Sequence, residues 1–325
     1  MIMSPNYPLI RYTGRWYVSE TEAVSTANGS YVEFAFSGDT AVIEFDIDDC
    51  VAPYPHIYIS VDEGAKVEVP LDKYIRITVE KGNHTVQMIL KSSVESQQRW
   101  FAPLQSKTAI RTLEADAFLP LAPDTRPVIE FLGDSITEGV SIDNIGVYSR
   151  YGSFMDMVYW NDAVAGYAWL TAKALNLRPV IIGYGSLGVT RGGSGDIPPV
   201  GQSYTYYSDG HPAESIFADY VVINHGTNDI NAPADIFQQA YRELLLLVRK
   251  RNPQARIISL TPFNGTFAEE IHSVVENFNN EYDDSVLYIN STGWIPPSPI
   301  HPKREGNKIV SKYLSDILRK EFGLL

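Results

Sequence analysis

Four positions, each placed just beyond an apolar run, carry groups that together could do acyl chemistry: Ser135, Gly188, Asn228 and His301. The run Val128-Ile-Glu-Phe-Leu132 ends abruptly in Gly133-Asp134-Ser135. A short run rich in β-branched and large apolar residues reads as a buried parallel strand. Gly133 permits a sharp turn at its carboxyl end, the edge where open α/β sheets place their ligands. A hydroxyl held there is a candidate nucleophile. Read alone, the serine of an Asp-Ser pair is more simply a cap for the following helix, so the decision rests on partners further along the chain.

The second apolar run, Pro179-Val-Ile-Ile, leads into Gly183-Tyr-Gly-Ser-Leu-Gly188. This matches the dinucleotide-binding spacing, but that reading needs a helix opening on the last glycine. Val-Thr-Arg-Gly-Gly-Ser-Gly-Asp-Ile-Pro-Pro follows instead and cannot form one. Nicotinamide binding is set aside. A bare backbone N–H at Gly188 has a different use, approach to a developing oxyanion. The third run ends in Asn224-His-Gly-Thr-Asn-Asp229. The Asn228 amide can donate toward the same crevice, with an Asx-turn as the alternative. His225 reads as packing and Asp229 as a loop brace. His301, in Pro299-Ile-His-Pro302 before the last helix, can act as the base for Ser135, with a plain surface histidine as the alternative.

These groups need a scaffold, and the chain shows two rhythms. Residues 10–118 alternate with period two, as in Tyr31-Val-Glu-Phe-Ala-Phe and Tyr74-Ile-Arg-Ile-Thr-Val, with turn signals at 37–39, 62–64 and 81–83. Short, evenly spaced strands predict a β-sandwich of jelly-roll type. After the proline-rich stretch near residue 120, buried strands at 128–132, 179–182, 219–224, 256–260 and 286–289 alternate with helices near 164–175, 234–251, 266–281 and 304–322. That is a βαβ series, a doubly wound α/β fold. The expected division is 1–120 for the β-sandwich and 121–325 for the catalytic part.

The 325 residues carry a formal net charge of -13, which argues against a nucleic-acid partner, since such binding rests on Lys and Arg neutralising phosphates. One cysteine, Cys50, excludes an internal disulfide and a cysteine metal cluster. The amino-terminal residues have no basic region before an apolar stretch, and no run has transmembrane length, which predicts a cytoplasmic protein without a membrane partner.

In order and spacing these blocks resemble the SGNH (GDSL) hydrolases, esterases and acyl hydrolases. Gly133-Asp-Ser-Ile-Thr137 matches the nucleophile block, Gly188 the second, Gly226-Thr-Asn-Asp229 the third and His301-Pro302 the last. The resemblance implies a five-stranded parallel sheet between helices. It implies Ser135 as nucleophile, His301 as base, and an oxyanion hole from the N–H groups of Ser135 and Gly188 with the Asn228 amide. The β-rich first half, with Gly82-Asn-His-Thr-Val, looks like carbohydrate esterase family two, which implies removal of acetyl groups from plant polysaccharides or their fragments.

One departure stands out. The family places an Asp three residues before the catalytic His, and Ser298 stands there instead. The resemblance then implies a Ser-His dyad, with a backbone carbonyl of 296–299 orienting the imidazole and Asp134 or Ser298 as possible support. Trp294 and Trp160 are candidates for stacking on sugar, with packing as the alternative. The expected partner is a small or oligosaccharide ester, with no metal and no cofactor. Other readings are a lipase or acyltransferase on another small ester, and a catalytically decayed sugar-binding protein. Acyl-chain preference and oligomeric state are not legible in the chain.

Overall fold

The computed structural model describes residues 1–144, 157–214 and 216–324. Nine strands make one antiparallel sheet: β1 (Ile2–Met3), β2 (Arg11–Thr13), β3 (Tyr17–Val18), β4 (Ala23–Ser25), β5 (Tyr31–Phe45), β6 (His56–Val61), β7 (Val67–Pro70), β8 (Tyr74–Ser92) and β9 (Thr108–Leu119). The hydrogen-bonded order is β3-β4-β9-β5-β8-β6-β7, with β1 on β9 and β2 on β5. The turns expected at 37–39 and 81–83 are absent. β5 and β8 run straight through both, pairing Ser37 with Asn83 and Gly38 with Gly82.

A register shift between Gly38 and Thr40 explains why these residues look like turns. Across it the inward parity changes, from Phe34 and Phe36 to Ala41, Ile43 and Phe45. All five bury into one cluster. The strand rhythm suggested a jelly roll; the nine strands form one hydrogen-bonded antiparallel sheet packed on an apolar cluster of its own.

The remaining elements are β10 (Val128–Gly133), α1 (Ser135–Glu138), α2 (Met157–Trp160), α3 (Tyr167–Ala174), β11 (Arg178–Gly183), α4 (Val200–Ser203), the short pair β12 (Tyr206–Ser208) and β13 (His211–Pro212), β14 (Tyr220–Asn224), α5 (Ala234–Arg251), β15 (Arg256–Leu260), α6 (Ala268–Tyr282), β16 (Leu287–Ile289) and α7 (Arg304–Phe322). Five of the strands form a parallel sheet in the order β11-β10-β14-β15-β16. Alternate residues feed opposite faces, as parallel strands covered on both sides require. Leu132, Ile182, Ile223 and Ile257 pack with Phe237 and Tyr241 of α5 and Val274 of α6. Phe131, Ile181, Val222 and Ile258 pack with Trp169 of α3 and Leu314 of α7. Tyr31 and Ile89 of the antiparallel sheet join that second cluster, so the two sheets share a core. No helix among the described residues is long and apolar enough to cross a membrane.

The strand order reverses at β10, because the chain goes first to one neighbour and then to the other. That is the topological switch point where such sheets open a crevice. Register makes the crevice sharp: Gly133 lies level with Gly183 on one side and Asn224 on the other. α1 sits directly on these ends. A Cβ at Gly133 would stand 2.0 Å from Thr137 Oγ1, and one at Gly183 would stand 2.6 Å from the Glu138 nitrogen. Gly133→Ala is therefore expected to destabilise the fold by about 1–3 kcal/mol through overpacking. Urea denaturation reads this directly, and an unmoved midpoint would show that α1 is not seated so closely.

Candidate active site

Asp134, not Ser135, caps the helix. Its Oδ1 accepts from the Ile136 N–H at 2.9 Å, leaving Ser135 as the first helical residue. Ser135 is 8% exposed, and its backbone N–H has no acceptor among the described residues. Asp134 Oδ2 accepts from Asn228 Nδ2 at 3.2 Å. Burial, with Asp229 nearby, pushes the Asp134 carboxyl up to about 7. This residue braces the turn and does not touch the imidazole.

His301 reaches Ser135 from the loop between β16 and α7, with Nε2 2.9 Å from Oγ. Fixed points on both sides hold that loop. Asn307 of α7 donates to the Pro302 carbonyl at 2.7 Å and accepts from the Tyr167 N–H at 2.8 Å. Lys303 Nζ donates to the Ser141 carbonyl at 2.7 Å, and Arg304 meets Asp143. The expected carbonyl from 296–299 is not in place. Among the described residues the ring's sole hydrogen bond is the one to Ser135. Ser298 is exposed on the loop and does not support the ring. The flanking anchors set the position of His301 instead.

Two expected oxyanion donors are already engaged. The Gly188 N–H is donated to the Arg191 carbonyl at 3.1 Å. The cause is Asp229, whose carboxylate accepts from Val189 N–H, Thr190 N–H and Thr190 Oγ1 and closes the loop as a turn. Gly188 is required there, since a Cβ would lie 2.5 Å from Asp229 Oδ1. Asn228 Nδ2 lies 3.0 Å from the Leu187 carbonyl as well as 3.2 Å from Asp134. Both its hydrogens have protein acceptors, so it must release or share one to meet an oxyanion. His225 is wholly buried, which fits packing, and burial pushes its ring down to about 4; the histidine in contact with Ser135 is His301.

The tryptophans also find partners within the protein. Trp160 is buried among Val94, Val140, Met157 and Val158. Trp294 is half-buried against Tyr313, ring centroids 5.5 Å apart. Trp160 is thus packed in a core and not set as an open sugar platform. Part of the segment that follows Ser135, residues 145–156, lies outside the described residues.

Sequence reasoning missed Glu138. It follows Ser135 by three positions and is held, fully buried, by Arg99 and Asn28 from the antiparallel half. The local signal was its place on the short helix; nothing near position 99 announced its partner. Among the described residues no cluster of His, Cys, Asp and Glu could hold a metal ion.

Burial, aided by the Lys303 charge, pulls His301 down from 6.5 to about 4. The ring is therefore the neutral, proton-accepting form through mildly acid conditions. The unfolded ring binds a proton below about 6.5 and the folded ring only near 4, so its contribution to stability is present above 6.5 and lost as pH falls. An NMR titration of His301 is expected to give a midpoint near 4, and Lys303→Met is expected to raise it. A wild-type midpoint of 6.5, or no movement in the variant, would contradict this electrostatic picture.

The model of the GDSL-like Lipase/Acylhydrolase family matches residues 131–309, a span that holds Ser135, Gly188, Asn228 and His301. An acetylxylan esterase / glucomannan deacetylase of Cellvibrio japonicus (strain Ueda107) is 25% identical over 256 residues, covering 74% of this chain and 67% of that protein. The structure of a family two carbohydrate esterase from the same organism superposes with a TM-score of 0.81 at 20% identity, covering 98% of this chain and 97% of the other. A family two carbohydrate esterase from Clostridium thermocellum, solved with cellohexaose, gives 0.79 at 22% identity over 97% and 100% of the two chains. The chain thus belongs to the GDSL-like lipase/acylhydrolase family, a carboxylic ester hydrolase whose fold is that of the family two carbohydrate esterases.

Proposed function

We propose that this chain is a serine esterase that removes acetyl groups from acetylated carbohydrates, such as xylan fragments, using Ser135 and His301 as a dyad. The observation that carries the reading is the 2.9 Å contact between His301 Nε2 and Ser135 Oγ, made by an imidazole with no carboxylate on its other nitrogen among the described residues. A hydroxyl beside a neutral imidazole is an activated nucleophile. His301 takes the Ser135 proton as Oγ attacks the acetyl carbonyl, and it returns that proton to the departing sugar oxygen. Water then enters by the same route and gives up a proton to His301 as it attacks the acyl-enzyme; His301 passes that proton to Ser135 Oγ as the ester bond to the enzyme breaks and acetic acid leaves. The sugar as alcohol partner is supported by the Cellvibrio relative, an acetylxylan esterase / glucomannan deacetylase, and by the cellohexaose bound to the Clostridium one.

Negative charge on the tetrahedral oxygen meets the unengaged N–H of Ser135 and the Asn228 amide, released from Asp134. Gly188 stays in its turn with Arg191 in this reading. An imidazole without a carboxylate partner forms its charged state less readily. The cation raised on His301 in each step lies near Lys303 as well, which adds to that cost.

Ser135→Ala is expected to abolish hydrolysis of p-nitrophenyl acetate and labelling by an organophosphonate. Asn228→Ala should lose about a hundredfold in kcat, the usual effect of removing one oxyanion donor. A panel of p-nitrophenyl acetate, butyrate and laurate beside acetylated xylo-oligosaccharides identifies the substrate. Faster laurate cleavage would replace the sugar-acetyl reading with a lipase-like one. Turnover that survives Ser135→Ala would sink the nucleophile assignment. A wild type inert on every ester but binding xylo-oligosaccharide would mark a decayed sugar-binding protein.

A further inference from the structure

Behind the Ser135 turn, one buried guanidinium pairs with one carboxylate, and two more carboxyl groups lie near that pair. Glu138 lies one turn along α1 from Ser135, and its Oε1 accepts from Arg99 Nη1 at 2.5 Å and from Asn28 Nδ2 at 2.9 Å. Both side chains of the ion pair are 0% exposed. Glu95 comes from the same loop as Arg99, and its carboxyl occupies the place where a Cβ on Gly185 would stand, 2.5 Å from Glu95 Cδ. Asp134, the cap of α1, is the third acid; its charge and that of Glu138 both act on Glu95. Burial foremost, and then Glu138, pushes Glu95 up to about 8, while Asp134 is lifted to about 7. Glu138 is the acid with a cation in direct contact.

Arg99 is anchored on two sides, while its Nε and Nη2 are buried with no hydrogen-bond partner among the described residues. Its N–H donates to the Gly195 carbonyl at 3.0 Å, and its guanidinium lies 5.1 Å from the centre of the Tyr184 ring. Gly185 and Gly195 belong to the loop after β11, so the 93–99 segment packs against the stretch that carries Gly188. A buried ion pair is poor evidence for net stability, but removing one partner leaves a charge that the interior cannot solvate. Here that charge would sit on the helix that presents Ser135.

Resting on the reading of Ser135 as nucleophile, we infer that Arg99 is a positioning residue for catalysis: through Glu138 it holds α1 in register with His301 and cancels the negative charge behind the forming oxyanion. It touches no reacting atom. Its effect belongs in kcat, because the ground-state ester carries no charge for the cluster to oppose.

The test compares Arg99→Met, Glu138→Gln, the double variant and Arg99→Lys on p-nitrophenyl acetate, each first checked for folding by circular dichroism and thermal denaturation. Arg99→Met is expected to lower kcat about thirtyfold with KM moved less than about threefold. The double variant, with its charges balanced, should regain about tenfold over the single one, and Arg99→Lys should retain most of the activity. Should Arg99→Met fail to fold, Glu138→Gln carries the test, with an expected loss of about tenfold in kcat from the stranded guanidinium. Kcat within about threefold of wild type in every folded single variant would overturn the inference, as would a loss confined to KM. Organophosphonate labelling keeps the two readings apart. A wild type that is not labelled at Ser135 overturns both, whereas normal labelling with an unaffected Arg99→Met overturns only the role of Arg99.

Discussion

Everything chemical in this molecule depends on how closely α1 can sit on the ends of β10 and β11. Two bare glycines, Gly133 and Gly183, face the first turn of that helix at distances no side chain could share. Because the ends of β10, β11 and β14 are level, the loops that leave them converge on one spot. Ser135 stands at that spot because the strand stops there and the helix starts at once, with Asp134 closing the gap as its cap. His301 then needs only to be brought down from above. Asn307, Lys303 and Arg304 do that by tying the loop to α3 and to the segment after Ser135.

The site shows how hydrogen bonds compete for the same donors. An N–H near a reactive centre is useful only if nothing else holds it at the moment charge appears. In the structure Gly188 and Asn228 satisfy acceptors of their own loops, as buried polar groups are driven to do. The Asn228–Asp134 contact is the adjustable one, because a carboxyl lifted to about 7 takes up a proton readily and then accepts less strongly. The Asp229 brace is firmer, with three donors on one carboxylate.

Much of this was legible in the chain because the informative residues break a pattern. Parallel strands covered on both faces are almost wholly apolar, so the polar groups just past their ends stand out, as Ser135 and Asn228 do. The helices and strands after residue 127 follow the expected ranges closely for the same reason. What escaped was whatever depends on contact between distant segments. Ser37-Gly-Asp looks like a turn, yet a bulge uses the same residues to bend a continuous strand. A tryptophan suits a sugar face and a core equally, and only packing shows that Trp160 is buried. The orientation of His301 was sought in its own loop, whereas the anchors lie on α7 and in the segment after Ser135.

The shared buried contacts between the two sheets bear on how such a protein can change over time. Residues 120–127 form no strand or helix and look like a natural crossover point for recombination. A crossover there would nevertheless separate Arg99 and Asn28 from Glu138, and Arg15 from the carbonyls of Ser203 and Tyr204 that it holds. Such a cut would leave buried charges and donors without their partners on both sides. A replacement for the antiparallel sheet would have to bring matching partners for Glu138 and for the carbonyls of Ser203 and Tyr204, a demand that a tethered accessory module does not meet.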